Sequence, residues 1–284
     1  MKILVTNDDG YRAKGIKTLV RTLKPFGDIL VVAPKYVQSG TSMAVTMGYK
    51  PIAVKKISEH PGETWYYLDG TPASCVKFGI GELYDEGCLP DVIVSGINHG
   101  GNYATAALYS GTLGAAMEGA LMRIPSIAVS LDCLDADADF SSVERYLPAL
   151  FEWILAHPSE RFGLVYNLNF PAIAPEEVKG IRIPGQGIIR WVREYAPFNP
   201  DIYEIKGLSP YDLGIRSLPV PEPEEDLYMM GGTVVKDPGN QADTDVELIA
   251  DGYITLTAHS ILTTDALEQQ RLRSLGLETL IREP

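Results

Sequence analysis

The sequence predicts an α/β fold, a mostly parallel sheet flanked by helices, and three observations carry that reading. Short, continuous, β-branched runs recur at Ile3-Leu4-Val5, Ile29-Leu30-Val31-Val32, Val92-Ile93-Val94 and Ile127-Ala128-Val129. Runs without polar alternation suit strands covered on both faces, as in a parallel sheet. Each is closed by polar or Gly/Pro residues, and helical patterns stand between them, so the chain reads as right-handed βαβ units.

In chain order, residues 1–6 read as the opening strand and not as a signal peptide, because the apolar run is short and Asp8 and Asp9 follow at once. Residues 15–24 place Ile16, Leu19, Val20 and Leu23 at i, i+3, i+4 and i+7, one face of a helix. Residues 112–122, rich in Ala, Leu and Met, predict a second helix, and 141–156 a further one. Residues 165–170 read as a strand. From Ile181 onward Gly and Pro become frequent and periodicity is lost, with an acidic, Pro-broken turn at 222–226. That stretch reads as hairpins and loops projecting from the core, not as a second domain. Residues 252–257 alternate like a strand, and 265–275 predict a terminal helix ending at Gly276. The expected organisation is a core over 1–180, an arm over 181–239, and a C-terminal strand and helix over 240–284.

The 284 residues are 45% hydrophobic and 21% charged, enough apolar material for one large core. A formal net charge of -13, from 24 Lys+Arg against 37 Asp+Glu, gives a field that repels polyanions, so duplex nucleic acid is excluded as a partner. A small phosphate would need a local device to overturn that field, and a bound divalent cation is the usual one. The odd, unpatterned set Cys75, Cys88 and Cys133 fits a reduced compartment, read as buried small hydrophobes. No run of membrane-spanning length occurs, and the expected location is the cytoplasm.

In a doubly wound sheet, ligands bind beyond the strand ends, so the residues after each run matter most. The first run delivers Asn7-Asp8-Asp9-Gly10. Two carboxylates about 4 Å apart repel by about 4 kcal/mol at an effective dielectric near 20, which a divalent cation removes. The alternative is that one acid caps a helix while the other faces water. The second run leads to Ser39-Gly40, where the hydroxyl is a hard oxygen ligand and Gly lets backbone approach. The third ends in Ser95-Gly96-Ile97-Asn98-His99-Gly100-Gly101-Asn102. Asn98 and Asn102 can ligate a cation through the carbonyl or donate to phosphate through the amide, unless the segment is only a Gly/Asn turn. Ser110-Gly111-Thr112 then opens a helix, with hydroxyls and unpaired N–H groups suited to an anion or simply to capping.

The four histidines show no zinc spacing, and only His99 neighbours these residues. P-loop, G-x-G-x-x-G and G-x-S-x-G motifs are absent. A phospho-accepting receiver shares the paired acids but needs an Asp at the end of its third strand, where Ser95-Gly96-Ile97-Asn98 stands. A binding module that holds a nucleotide phosphate without cleaving it uses the same groups.

Taken together, Thr6-Asn7-Asp8-Asp9-Gly10, Gln38-Ser39-Gly40, Gly70-Thr71-Pro72, Ser95-Gly96-Ile97-Asn98 with Gly101-Asn102, Tyr109-Ser110-Gly111-Thr112 with Gly114-Ala115-Ala116, Ile124-Pro125-Ser126 and Gly252-Tyr253-Ile254-Thr255 closely resemble the survival protein E (SurE) family of 5'/3'-nucleotidases over essentially the full length. The resemblance implies a Rossmann-like core with an extended β-hairpin arm and a C-terminal extension. It implies hydrolysis of nucleoside 5'-monophosphates, and of 3'-monophosphates; a rival reading that stays within hydrolases makes short-chain polyphosphate the preferred substrate. It further implies one divalent ion, Mg²⁺ or Mn²⁺ with Ca²⁺ also admissible, held by Asp8, Asp9, Ser39 and Asn98. Asp8, Asp9, Asn98 and Asn102 are the expected catalytic residues, with Asn98, Asn102, Ser110, Gly111 and Thr112 on the substrate phosphate. A homodimer or homotetramer, assembled through the arm and an exchanged C-terminal segment, is implied as well. Ser74 departs from the Asp usual in the family and bears on substrate preference. Leu113 replaces Val, and residues 226–232 and Ala258-His259 depart from the family pattern where they bear on assembly.

Overall fold

The computed structural model describes residues 1–85, 87–205, 207, 209–211, 213–215 and 217–275. Strand β1 (Lys2–Thr6) leads into helix α1 (Lys14–Leu23) and strand β2 (Asp28–Pro34). A hairpin of β3 (Val54–His60) and β4 (Glu63–Leu68) precedes α2 (Pro72–Phe78), then β5 (Val92–His99), α3 (Gly111–Leu121), β6 (Ser126–Leu131), α4 (Ser141–Ala156) and β7 (Leu164–Phe170). After β7 come the short β8 (Ile181–Arg182), then β9 (Ile189–Val192), β10 (Tyr195–Pro197), α5 (Ile202–Ile205), β11 (Tyr228–Met230) and β12 (Thr233–Lys236). The chain returns through α6 (Asp245–Ala250) and β13 (Ile254–Ser260) to α7 (Ala266–Ser274); Gly276, expected to end that last helix, lies outside the described residues.

The main sheet has the order β3-β4-β2-β1-β5-β6-β7-β13-β8. Strands from β4 to β7 run parallel, while β3 and β13 enter antiparallel. Side chains alternate across the pleat, so neighbours on β1 serve opposite layers. Ile3 and Val5 join Ile16, Leu19 and Phe151 beneath α1 and α4, whereas Leu4 joins Val32, Val76, Ile93 and Ala115 under α2 and α3. Each buried aliphatic side chain contributes roughly 1.5–3 kcal/mol, which fixes the register of the central strands.

The hairpin β3–β4 has no counterpart in the sequence reading. It carries Lys55, Lys56 and Glu59 on an exposed edge strand, where charge discourages pairing with another chain and erases the apolar alternation. The expected hairpins of the arm are present: β9 pairs with β12 and β10 with β11, both antiparallel. Between β10 and β11, the Tyr211 ring meets Tyr36 of the core edge-on at 5.5 Å. The expected C-terminal strand begins at Ile254 and pairs with β7 of its own chain, making it part of the core sheet, while α7 buries none of its residues. Buried Asp245 clasps these parts together, accepting the N–H groups of Ala104 at 2.8 Å and Gly187 at 2.7 Å.

Helix α1 lies so close to β5 that a Cβ on Gly15 would stand 2.0 Å from the Ile97 carbonyl oxygen. Gly15→Ala must therefore push the helix off the sheet, at a cost of about 1–3 kcal/mol. Urea denaturation should show a lower midpoint with an unchanged slope; a midpoint equal to that of the wild type would refute this packing.

Candidate active site at the ends of β1 and β5

The strand order of the sheet places β2 on one side of β1 and β5 on the other, which opens a crevice beyond their carboxyl ends. Asp8 and Asp9 leave β1 into that crevice. Asn98 reaches it from β5, whose pairing with β6 shifts register between Ser95 and Asn98, an irregularity that re-aims side chains. Helix α3 starts there, capped by Ser110, whose hydroxyl accepts the Leu113 N–H at 3.0 Å.

The carboxylates are held tightly. Asp8 Oδ1 accepts the Thr112 hydroxyl at 2.5 Å, and the same hydroxyl oxygen lies 3.5 Å from Asn98 Oδ1. Asp9 Oδ2 accepts the His99 backbone N–H at 3.0 Å. Asp8 also receives the Gln38 N–H on its carbonyl at 2.7 Å, which draws the loop of Ser39 over the site. Gly111 is required here, because a Cβ would meet Asp8 Oδ2 at 3.0 Å. A cavity of about 250 Å³ joins Asp8, Ser39, Asn98, Asn102, Ser110 and Trp191.

Asn98 and Asn102 are both positioned by the fold. Asn98 Nδ2 donates to the Gly100 carbonyl at 2.7 Å. Asn102 Nδ2 donates to Ser130 Oγ at 2.9 Å, its N–H to Asn169 Oδ1 at 2.7 Å, and its carbonyl accepts Asn167 Nδ2 at 2.7 Å. This buried polar layer fixes the 98–102 loop from below. Thus Asp8, Asp9, Ser39, Asn98, Asn102, Ser110, Gly111 and Thr112 all gather at one crevice, but Thr112 and Ser110 spend hydroxyls on Asp8 and on capping. Ser39 is the exposed member.

Electrostatics mark the pair. Burial, followed by the charge of Asp9, pushes the Asp8 carboxyl up to about 7, against the opposing bond from Thr112. Burial pushes Asp9 up to about 6, with the His99 N–H opposing it. Among the described residues no cationic side chain contributes to either. His99 is a framework residue: Nε2 accepts the Gly15 N–H at 3.3 Å and Nδ1 lies 2.8 Å from the Asp135 carbonyl, so both ring nitrogens are engaged.

Ser74 lies elsewhere. Its buried hydroxyl accepts the Thr46 N–H at 2.8 Å and sits 2.9 Å from Thr71 Oγ1, which anchors the loop before β3. Trp191, which lines the Asp8 cavity from the arm, was not foreseen, because nothing local marks a residue brought in from 80 positions beyond α3's start. Cys75 is buried, Cys88 and Cys133 are half-buried, and all three are free thiols. No described helix is long and apolar enough to cross a membrane.

Fold and crevice together define an α/β protein with an oxygen-lined crevice at the switch point of its sheet. The chain belongs to the survival protein SurE family, whose model matches residues 3–193. It is 37% identical over 284 residues to a protein named 5'-nucleotidase SurE from Desulfitobacterium hafniense, covering 98% of each chain. It is 35% identical over 277 residues to the 5'-nucleotidase SurE of Syntrophomonas wolfei, covering 97% of this chain and 95% of that one. The crystal structure of the SurE protein from Aquifex aeolicus superposes with a TM-score of 0.75 at 27% identity, over 97% of this chain and 100% of that chain.

Carboxyls whose folded-state affinity for protons is raised favour the fold fully below the unfolded value near 3.8, and that contribution is lost as pH rises toward about 7. In chelator-treated protein, wild type should therefore lose stability relative to Asp8→Asn between pH 4 and 8, by a few kcal/mol as an order of magnitude. Thermal denaturation across that range checks it; parallel curves for the two proteins would contradict it.

Proposed function

We infer that the protein is a 5'-nucleotidase, a phosphoric monoester hydrolase that releases phosphate from nucleoside monophosphates. The observation that carries this reading is the meeting of Asp8 and Asp9 with Asn98, Asn102 and the start of α3 in one crevice, in a chain of the SurE family. The finer reading adds that both 5'- and 3'-monophosphates are cleaved.

The donor set fits a divalent cation. Asp8, Asp9, Ser39 and Asn98 offer hard oxygens suited to Mg²⁺ or Mn²⁺, and to Ca²⁺, and two adjacent carboxylates without a cationic partner are the arrangement such an ion stabilises. Among the described residues no three His, Cys, Asp or Glu side chains converge, so the amide and hydroxyl oxygens complete the set. When bound, the ion supplies charge neutralisation at the phosphoryl oxygens and activation of water.

The chain's own groups do the rest. Backbone N–H groups of Gly111 and Thr112 at the positive end of α3, with Asn98 and Asn102, hold the phosphate and oppose the charge that develops on it. Asp8, through a carboxylate oxygen not engaged by the ion, takes the proton of the attacking water while Thr112 keeps its carboxylate in place. The new oxygen–phosphorus bond forms in line with the ribose oxygen, which departs with a proton from solvent.

Exposed Ile183, Tyr195, Tyr228 and Met230 on the arm support its use in a homodimer or homotetramer, with α7 free to pack on a neighbouring subunit. Three free cysteines support a cytoplasmic location.

Asp9→Asn should abolish metal-dependent phosphate release from AMP, as should a chelator acting on the wild type. Asn98→Ala and Asn102→Ala should each lower kcat by on the order of 10²-fold. Phosphate release by Asp9→Asn at the wild-type rate would overturn the assignment.

A further inference from the structure

A second cavity, of about 590 Å³, adjoins the first: Ser39, His99 and Leu134 line both, and Asp9 lines the second as its neighbour Asp8 lines the first. Their walls differ in chemistry. Among the described residues Asp8 is the one charged residue lining the first cavity, which also carries the rings of Tyr109 and Trp191, packed edge to face at 5.7 Å, an apolar surface of the sort a nucleobase stacks on. The second is walled by Arg12, Lys14 and Lys35.

Three cations around one hollow stand out in a chain of net charge -13, and they are held in place. The Arg12 guanidinium sits 5.0 Å from the Tyr11 ring centroid and 5.7 Å from that of Tyr211. Lys35 Nζ lies 4.8 Å from the Tyr36 ring and 5.6 Å from that of Tyr67. The Tyr11 and Tyr67 rings meet at 5.3 Å and the Tyr36 and Tyr211 rings at 5.5 Å, so four aromatics form the frame. Lys14 Nζ is steered by the Asp137 carbonyl at 2.9 Å. Cations fixed against aromatic faces lose less freedom on meeting an anion than cations on free stems. Among the described residues the acids on this wall are Asp9, which belongs to the phosphoryl site, and Asp137 at the rim, and the charge of Asp69 reaches Lys35 from outside it.

We propose that the Arg12, Lys14 and Lys35 cavity is a subsite for a second phosphate of the substrate, so that nucleoside bisphosphates, phosphorylated at both ends of the ribose, are bound in preference to monophosphates. The proposal rests on reading the Asp8–Asp9 crevice as the phosphoryl-cleaving site. One phosphate lies in that crevice, the base turns to Tyr109 and Trp191, and the other phosphate crosses Asp9 and Ser39 into the cationic hollow. Arg12 and Lys35 act as specificity-determining residues, without a part in bond cleavage.

The test compares adenosine 3',5'-bisphosphate with AMP as substrates of the full-length, metal-supplied enzyme. The wild type should show a kcat/KM for the bisphosphate at least tenfold above that for AMP, residing mainly in KM. In the Arg12→Gln/Lys35→Gln double variant that ratio should fall at least tenfold, with Lys35→Gln alone intermediate and Arg12→Lys retaining most of the preference. A wild-type ratio near one, or a ratio unmoved in the double variant, overturns the subsite. Calorimetric titration of both proteins with adenosine 3',5'-bisphosphate reads binding without turnover. If neither substrate is cleaved yet the bisphosphate binds the wild type at least tenfold more tightly than the double variant, the subsite stands and the hydrolase reading falls. If both proteins bind it equally, the subsite falls.

Discussion

Two neighbouring carboxylates, one of them buried, are forced into a common crevice at the end of the first strand, and the rest of the site is arranged around that constraint. Without compensation, burial drives both toward their neutral forms, with Asp8 carrying the larger shift. The fold resists this only in part, through the Thr112 hydroxyl and the His99 N–H. Burial and mutual repulsion raise the free energy of the doubly charged pair, and this links the stability of the protein to the charge state of its crevice.

The supports of the pair reach far through the chain. Gly111 permits α3 to begin against Asp8, and Gly15 permits α1 to lie against β5, where His99 joins the two. Below Asn102, the side chains of Ser130, Asn167 and Asn169 form a buried polar layer whose strands come from the second half of the sheet. Asp245 then fastens the loop after Asn102 to the root of the arm. A substitution at any of these places moves the groups of the crevice without replacing any of them, which is how a rigid scaffold governs a site made of loops.

What was legible in the sequence and what was not follows the range of the interactions involved. Asp8 and Asp9 were legible because the strand that positions them is the immediately preceding run, and α3 because its cap is local. The core strands showed themselves by burial on both faces. The β3–β4 hairpin did not, since an edge strand bearing Lys55 and Lys56 has no apolar signature. The strand character of residues 252–257 was visible, but its partner, β7, was not, because antiparallel pairing across some 90 residues leaves no local trace. Arg12, Lys35 and Trp191 escaped notice for the same reason: each reads as an ordinary surface residue until the fold sets it beside Asp8 or Asp9. Thr112 was foreseen as a phosphate donor, and its bond to Asp8 gives it a prior task.

The claim at the centre is that a single divalent ion completes the Asp8–Asp9 pair. Anomalous diffraction from crystals grown with Mn²⁺ tests it without reference to catalysis. One anomalous peak, contacting both carboxylates and adjoining Ser39 and Asn98, is the result this account requires. A crevice without an anomalous peak at saturating Mn²⁺, with both side chains turned to solvent, would contradict it.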